Sequence, residues 1–347
     1  MWLGIIVSSI QVPGWIGAVI PTAWLALFVI VPCLLFKYNI EVTLAHILGS
    51  LFLLYAGLSL LWAPNFNIAF FEYCKLLVLG GVFCIGSCVQ DLRNVFKGLA
   101  IGLGISVIVA LAQYFFDWNG VFKIYPYIPV GLFINPDLLC EFSAVMLLVL
   151  IAARLWFWLP VTLPGLLLVH SRAAILGLTI GLGMWAWRKS KALVVILAII
   201  CIAVFYFKAN AFNSAYDRLI IWIDTARNLT IFGHGVGSFD LLYPAFATMD
   251  TSIARPMAAH NDWLQLIFDL GIGVAFLVPI FIKKNIVLLS IAAIAFFDFP
   301  LHVPVLAFIW VLVAGHAVRN FASDGLFSGR FGSNLFARSE RQCYATI

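Results

Sequence analysis

An all-α, polytopic transmembrane helix bundle of eleven or twelve spans is the architecture these 347 residues predict, and three observations carry the prediction. Hydrophobic residues make up 64% of the chain and charged residues 10%. A soluble domain has about 45–50% and about 25%, so too few polar side chains exist here to build a hydrated shell. Apolar runs of 15 to 22 residues recur from end to end, close to the roughly 20 needed to cross the hydrocarbon of a bilayer. Alternating segments of about ten residues, the mark of a transmembrane β-barrel, are too few.

The spans fall at roughly 15–36, 42–62, 75–90, 98–116, 138–158, 160–170, 173–187, 192–208, 262–282, 285–299 and 303–318. A short apolar stretch, 1–12, precedes Pro13 and Gly14 and forms a twelfth, incomplete crossing. It lacks the basic leader of a cleavable signal peptide. Segments 160–170 and 285–299 are short for full crossings. Gly98 with Gly102, and Gly177 with Gly181, give small faces on which helices pack closely in lipid. The seven cysteines show no CxxC pair, and most lie inside apolar runs as small hydrophobes.

Orientation follows from the basic residues. Thirteen of the 20 fall on one side, including Arg93, Lys97, Arg188, Lys189, Lys191 and Arg319, against four of the 15 acidic residues. That side is expected to be the cytoplasm. The chain then divides into N-terminal transmembrane helices (1–208), an extracytoplasmic loop (209–261), C-terminal transmembrane helices (262–319) and a basic cytoplasmic tail (320–347). A second exterior loop covers about 117–137. Within the larger one, the spacing of Ile220, Ile221 and Asp224 suits a short amphipathic helix at the interface.

The chemistry-bearing residues collect on the exterior side. Arg172 sits between two apolar stretches at the start of a span, where it either snorkels to the interface or binds an anion beside the positive end of the helix dipole. Arg218 lies four residues before Trp222 on one helix face. It either pairs with a loop acid such as Asp217 or Asp224 or forms a second clamp on the same anion. Arg227 and Arg255 read as solvated charges. His260 precedes a span that Asn261 or Asp262 can cap, and an imidazole suits proton transfer near neutral pH. His170, His234 and His302 share that side, but their spacing matches no metal motif, and no bound metal is expected. Asp269, Glu141 and Asp298 lie in or at the edges of apolar spans, where an ionisable group is either functional or paired for structure. The Gly233-x-Gly235-x-Gly237 run is weak evidence for a phosphate site and reads better as a turn.

In this order, the residues resemble the O-antigen ligase and polymerase superfamily of bacterial cell-envelope glycosyltransferases. Gly131-Leu-Phe-Ile-Asn135-Pro-Asp137 looks like the family's Gly-x-Phe-x-Asn-Pro-Asn, and Ser171-Arg172-Ala-Ala like its Ser-Arg-Gly-Ala. Arg218 to Trp222 looks like its Arg-x-x-x-Trp helix, and Gly233 to Phe239 is similar to its Gly-x-Gly-x-Gly-x-Phe. His260-Asn-Asp-Trp-Leu-Gln265 and Asp269-Leu-Gly271 resemble its His-Asn-x-x-Leu-Gln and Glu-x-Gly. The likeness covers roughly 100 to 318, with Asp137, Ala173 and Asp269 as departures.

The resemblance implies transfer of a glycan from undecaprenyl diphosphate to an acceptor sugar hydroxyl, on lipid A–core or a growing polysaccharide. The site would face the periplasm or exterior of the bacterial inner membrane. It implies no cofactor, no metal and no nucleotide, and no nucleic-acid partner is expected. His260 would be the general base, and Arg172 and Arg218 would hold the diphosphate. Asn261, Asp262, Asp269, Asn135, Gly235 and Gly237 would support them. A membrane transporter for a polysaccharide precursor or small anion is the competing class, though its ligands would be expected near the midplane on repeated halves. A scaffold without activity is a third.

Overall fold

The computed structural model describes residues 40–116, 128–133, 135–169, 171–187, 189–196, 212–250, 256–278 and 285–323, with isolated positions between 27 and 38 and residue 199. The expected stretch 1–12, most of the spans at 15–36 and 192–208, residues 117–127, the tail beyond 323, His170 and Arg255 lie outside the described residues. Every regular element among the described residues is helical.

Helix α1 (Leu44–Leu58) starts at Thr43 in a capping box with His46 and runs on through a 3-10 turn at Ser59–Leu61. Helix α2 (Phe66–Cys88) is capped by Asn65, whose side chain accepts from Ile68 N–H, and α3 is Arg93–Phe115. Helix α4 (Pro136–Ala152) begins at a cap by Asn135, with proline in the first turn, where its missing N–H costs nothing. A 3-10 run at Trp156–Thr162, a short α5 (Leu163–Leu168) and α6 (Arg172–Trp187) follow. Beyond lie α7 (Phe212–Arg227), α8 (Phe239–Phe246), α9 (Asp262–Leu270) with a 3-10 extension at Gly271–Leu277, and α10 (Ile286–Ile294). A 3-10 turn at Pro300–His302 leads into α11 (Pro304–Ser323).

The segments Leu44–Leu61, Phe66–Cys88 and Arg93–Phe115 are long and apolar enough to cross a membrane. Trp156–Leu168, Arg172–Trp187 and Pro304–Arg319 are apolar but shorter. Several expected spans differ from the observed helices for local reasons. The one expected at 75–90 begins at Phe66, because the Asn65 cap sets the start nine residues earlier than the apolar pattern did. The one expected at 138–158 ends at Ala152, where Arg154 turns to φ 57. Pro160 then interrupts the 160–170 run, giving a 3-10 stretch and a six-residue helix. The one expected at 262–282 leaves α geometry at Gly271, with φ 50.

Helix α4 is the axis of the main core. Nearly every residue from Pro136 to Leu150 is buried, as expected of a helix apolar on all sides. It packs on α6, α10 and α3, while α2 lies along α11. Glycine permits that last contact: a methyl group on Gly86 would strike the Leu312 carbonyl, and one on Gly315 the Phe83 carbonyl. Gly177 and Gly181 likewise seat α6 against α10 and α4, meeting Ile294 and Leu148. A smaller cluster of Ile221, Phe239, Tyr243, Ala259 and Phe268 joins α7, α8 and α9.

Candidate functional site

Four segments converge where α9 begins: the loop before it, the turn after α10, the face of α7, and the first turn of α4. His260 stands at φ 51, a left-handed conformation uncommon for a residue with a side chain. Its backbone neighbours are held from both sides. Trp222 Nε1 donates to the Ala259 carbonyl at 2.9 Å, and Ala259 N–H donates to Gln265 Oε1 at 2.9 Å. Asn261 caps α9 through Leu264 N–H at 3.0 Å. Asp262 N–H donates to the Ala295 carbonyl at 2.8 Å, which ties the helix start to the end of α10.

The His260 imidazole is held at one edge. Nδ1 meets Asp298 Oδ1 at 3.0 Å, and Phe299 closes on the ring edge-to-face with centroids 5.2 Å apart. An ionised carboxylate only accepts, so Nδ1 donates to Asp298, and Nε2 is the nitrogen left free of that contact. The His260 side chain stays 27% exposed, whereas that of Asp298 is 2% exposed. Arg218 faces the second Asp298 oxygen at 3.7 Å and also donates to the Phe297 carbonyl. The expected shared face of Arg218 and Trp222 on α7 thus lies against both sides of His260, with Arg218 on the 297–298 turn and Trp222 on Ala259.

Asn135 accepts from Asp137 N–H at 2.9 Å and so sets Asp137 in the first turn of α4. The Asp137 carboxyl is within electrostatic reach of Asp298, Arg218, His260 and Arg172. Arg172 opens α6, next to Ser171, whose hydroxyl accepts from Ala174 N–H at 3.3 Å. The three residues expected to do the chemistry, Arg172, Arg218 and His260, thus all act electrostatically on Asp137, and Arg218 and His260 also meet Asp298. On α3, Ser106 and Gln113 hold the turn before α4: Gln113 Oε1 accepts from Val130 and Gly131 N–H at 2.9 Å each.

Asp262, Asp269, Gly235 and Gly237 form the neighbouring layer. Asp262 Oδ1 meets His302 Nδ1 at 2.6 Å, and its Oδ2 accepts from Leu301 N–H at 2.7 Å. His302 Nε2 lies 3.1 Å from Gln265 Nε2. One turn and more deeper, the Asp269 carboxylate accepts from Gly237, Ser238 and Phe239 N–H at 3.0, 3.2 and 3.1 Å. Gly235 and Gly237 adopt φ 96 and φ 73, and an added methyl would meet Ala63 and Glu72 at 2.6 Å each. The glycine run is thus a turn folded round a carboxylate of the same chain, and its amides are already occupied. His234 belongs to this layer as well, with Nε2 2.8 Å from the Asn228 carbonyl and its ring over Phe268. Within α8, burial, aided by the Asp224 carboxylate, pushes the Tyr243 hydroxyl up to about 12.

Sequence reasoning flagged Asp298 only as an acid at the edge of a span. It missed Asp298 as the partner of His260, and it missed Gln265, Ser106 and Gln113. An acid among aromatics, Phe296-Phe-Asp-Phe-Pro300, is the signal that was present for Asp298. Ser106 and Gln113 gave none, because their partners are backbone groups 17 to 26 residues away, and Gln265 stood in the His260–Gln265 motif without a sign that it would hold Ala259 N–H. Compared with models of known protein families and with curated proteins, the chain finds no match.

Proposed function

We propose that the protein is an O-antigen ligase-like glycosyltransferase, moving a glycan from undecaprenyl diphosphate to an acceptor sugar hydroxyl at the outer face of a bacterial inner membrane. In this reading the chain is a polytopic bundle of about eleven or twelve spans with the His260 cluster on the exterior side. The observation that carries it is the arrangement of Arg218, Asp298 and His260 at the start of α9, with Arg172 within electrostatic reach of Asp137.

The chemistry follows from that arrangement. His260 Nε2 takes the proton of the acceptor hydroxyl as its oxygen forms a bond to the anomeric carbon. The bond from that carbon to the diphosphate oxygen breaks, and its electron pair leaves on the diphosphate. Positive charge fixed where that negative charge develops lowers the barrier. Arg218 uses part of its five-donor fork on Asp298 and Phe297, leaving other N–H groups for a phosphate oxygen. Arg172 supplies the second cation beside a helix N-terminus.

Purified protein in liposomes, given a lipid-linked glycan donor and each candidate acceptor in turn, tests the proposal. Transfer is expected in the wild type. It should fall about 10²- to 10⁴-fold in both His260→Ala and His260→Asn, since asparagine tolerates the left-handed backbone at 260 but cannot act as a base. A His260→Asn variant that works like wild type removes the base. Passage of donor across the bilayer without transfer would make the protein a transporter.

A further inference from the structure

The transfer step leaves the buried carboxyl of Glu141 unused. Glu141 lies in α4, one turn beyond Asp137, and is 0% exposed. Ser171 Oγ approaches its Oε1 at 3.5 Å, the long limit of a hydrogen bond, and Oε2 has no N–H or O–H donor among the described residues. The Glu141 carboxyl lies against that of Asp298, with Asp137 and Asp262 the next acids of the cluster.

Two carboxylates cannot hydrogen-bond, because each only accepts; a contact between two carboxyls needs one proton between them. Asp298 Oδ1 already takes His260 Nδ1 at 3.0 Å and Phe299 N–H at 3.1 Å, and Oδ2 faces Arg218. Its orientation is therefore set from the exterior by those groups and from the core by Glu141. We propose that Glu141 is a positioning residue of the transferase site. It shares a proton with Asp298 and holds that carboxylate where His260 Nδ1 finds it, in a chain from Glu141 through Asp298 to His260. Through Ser171, the residue before Arg172, the same carboxyl touches the segment that presents the second cation. One side chain on the most buried helix thus keeps the base and the anion clamp in register.

This inference rests on the glycosyltransferase reading, and two variants separate the two claims. Glu141→Gln keeps the volume and a donor for Asp298, while Glu141→Leu keeps only the volume. In the liposome assay, Glu141→Leu should lower kcat about tenfold or more, a part of the 10²- to 10⁴-fold worth of a positioned base, with KM for donor and acceptor little changed. Glu141→Gln should recover most of the loss. Infrared difference spectra of wild type minus Glu141→Gln should show the C=O band of a carboxylic acid, whatever the activity. Wild-type kcat in Glu141→Leu, Glu141→Gln as impaired as Glu141→Leu, or no acid band in the difference spectrum would each overturn the proposal. Should Glu141→Leu fail to fold, the infrared band on Glu141→Gln decides. A wild type that transfers nothing but shows the band sinks the enzyme reading and leaves the proton-sharing pair in place.

Discussion

His260 differs from His46 and His302 in what its ring leaves over. His46 is engaged at both nitrogens, by Thr43 and Ser87, and His302 by Asp262 and Gln265. His260 is anchored at Nδ1 alone, by a carboxylate that is itself sealed from solvent. Asp298→Asn keeps the shape but loses the charge that selects the tautomer, so transfer should drop roughly 10²- to 10⁴-fold with KM nearly constant. A drop of less than about twofold would mean that Asp298 is only packing. Arg218→Lys, assayed the same way, keeps the charge and loses the planar fork; turnover well below wild type is expected, and full turnover would remove Arg218 from the diphosphate. Tyr243 gives a test independent of activity. Its hydroxyl ionises near 12 in the folded protein rather than at the ordinary 10. Its contribution to stability is therefore complete below pH 10 and is lost as pH rises through about 12. Melting curves across that window should fall more steeply for wild type than for Tyr243→Phe, and parallel curves would rule the effect out.

Helix starts were easier to read from sequence than helix ends. Asn135 and Asn261 are both capping residues just ahead of apolar runs, and both cap. Asn65 does the same, but its helix has several polar groups near the start, including Glu72 and Lys75, so an apolar window found only its second half. Ends were hidden because an apolar run does not reveal a change from α to 3-10 geometry. Gly271 and Pro160 mark those changes, yet glycine and proline also occur inside membrane helices. The glycine run before α8 was legible as a turn but not as the seat of Asp269, which lies 32 residues from Gly237. Replacing Asp269 by alanine strands three N–H groups at about 1–3 kcal/mol for each that stays buried. Thermal unfolding in detergent should show a large loss for Asp269→Ala and a smaller one for Asp269→Asn. Equal melting temperatures for Asp269→Ala and wild type would show that the turn stands without it.

The expected bilayer orientation rests on a charge imbalance alone, since thirteen of the 20 basic residues share one side of the expected topology. Lys189, just beyond α6, belongs to that side, and His260 to the other. A cysteine placed at 189 should stay unlabelled by an impermeant thiol reagent in intact cells and react after permeabilisation. Strong labelling from outside would reverse the orientation and move the proposed site to the cytoplasm. The candidate residues stood out in the sequence, but their arrangement did not. Side-chain chemistry and the family resemblance pointed to Arg172, Arg218 and His260, whereas the carboxyls beside them come from α4 and the turn at 298. Those are segments separated by more than a hundred residues, and only packing around α4 joins them.

The left-handed backbone at His260 sets durability against the proposed catalysis. A residue with a side chain costs roughly 1–2 kcal/mol in that conformation, while glycine has no such cost and asparagine bears it more easily than most. His260→Gly should therefore relieve backbone strain, offset in part by the lost Asp298 contact, and His260→Asn should melt no lower than wild type. Both should be inactive. A substitution that leaves the fold as firm or firmer while abolishing transfer would place His260 among residues kept for reactivity at the expense of stability. If His260→Asn instead melts well below wild type, the imidazole is part of the scaffold, and its loss of activity would say little about proton transfer.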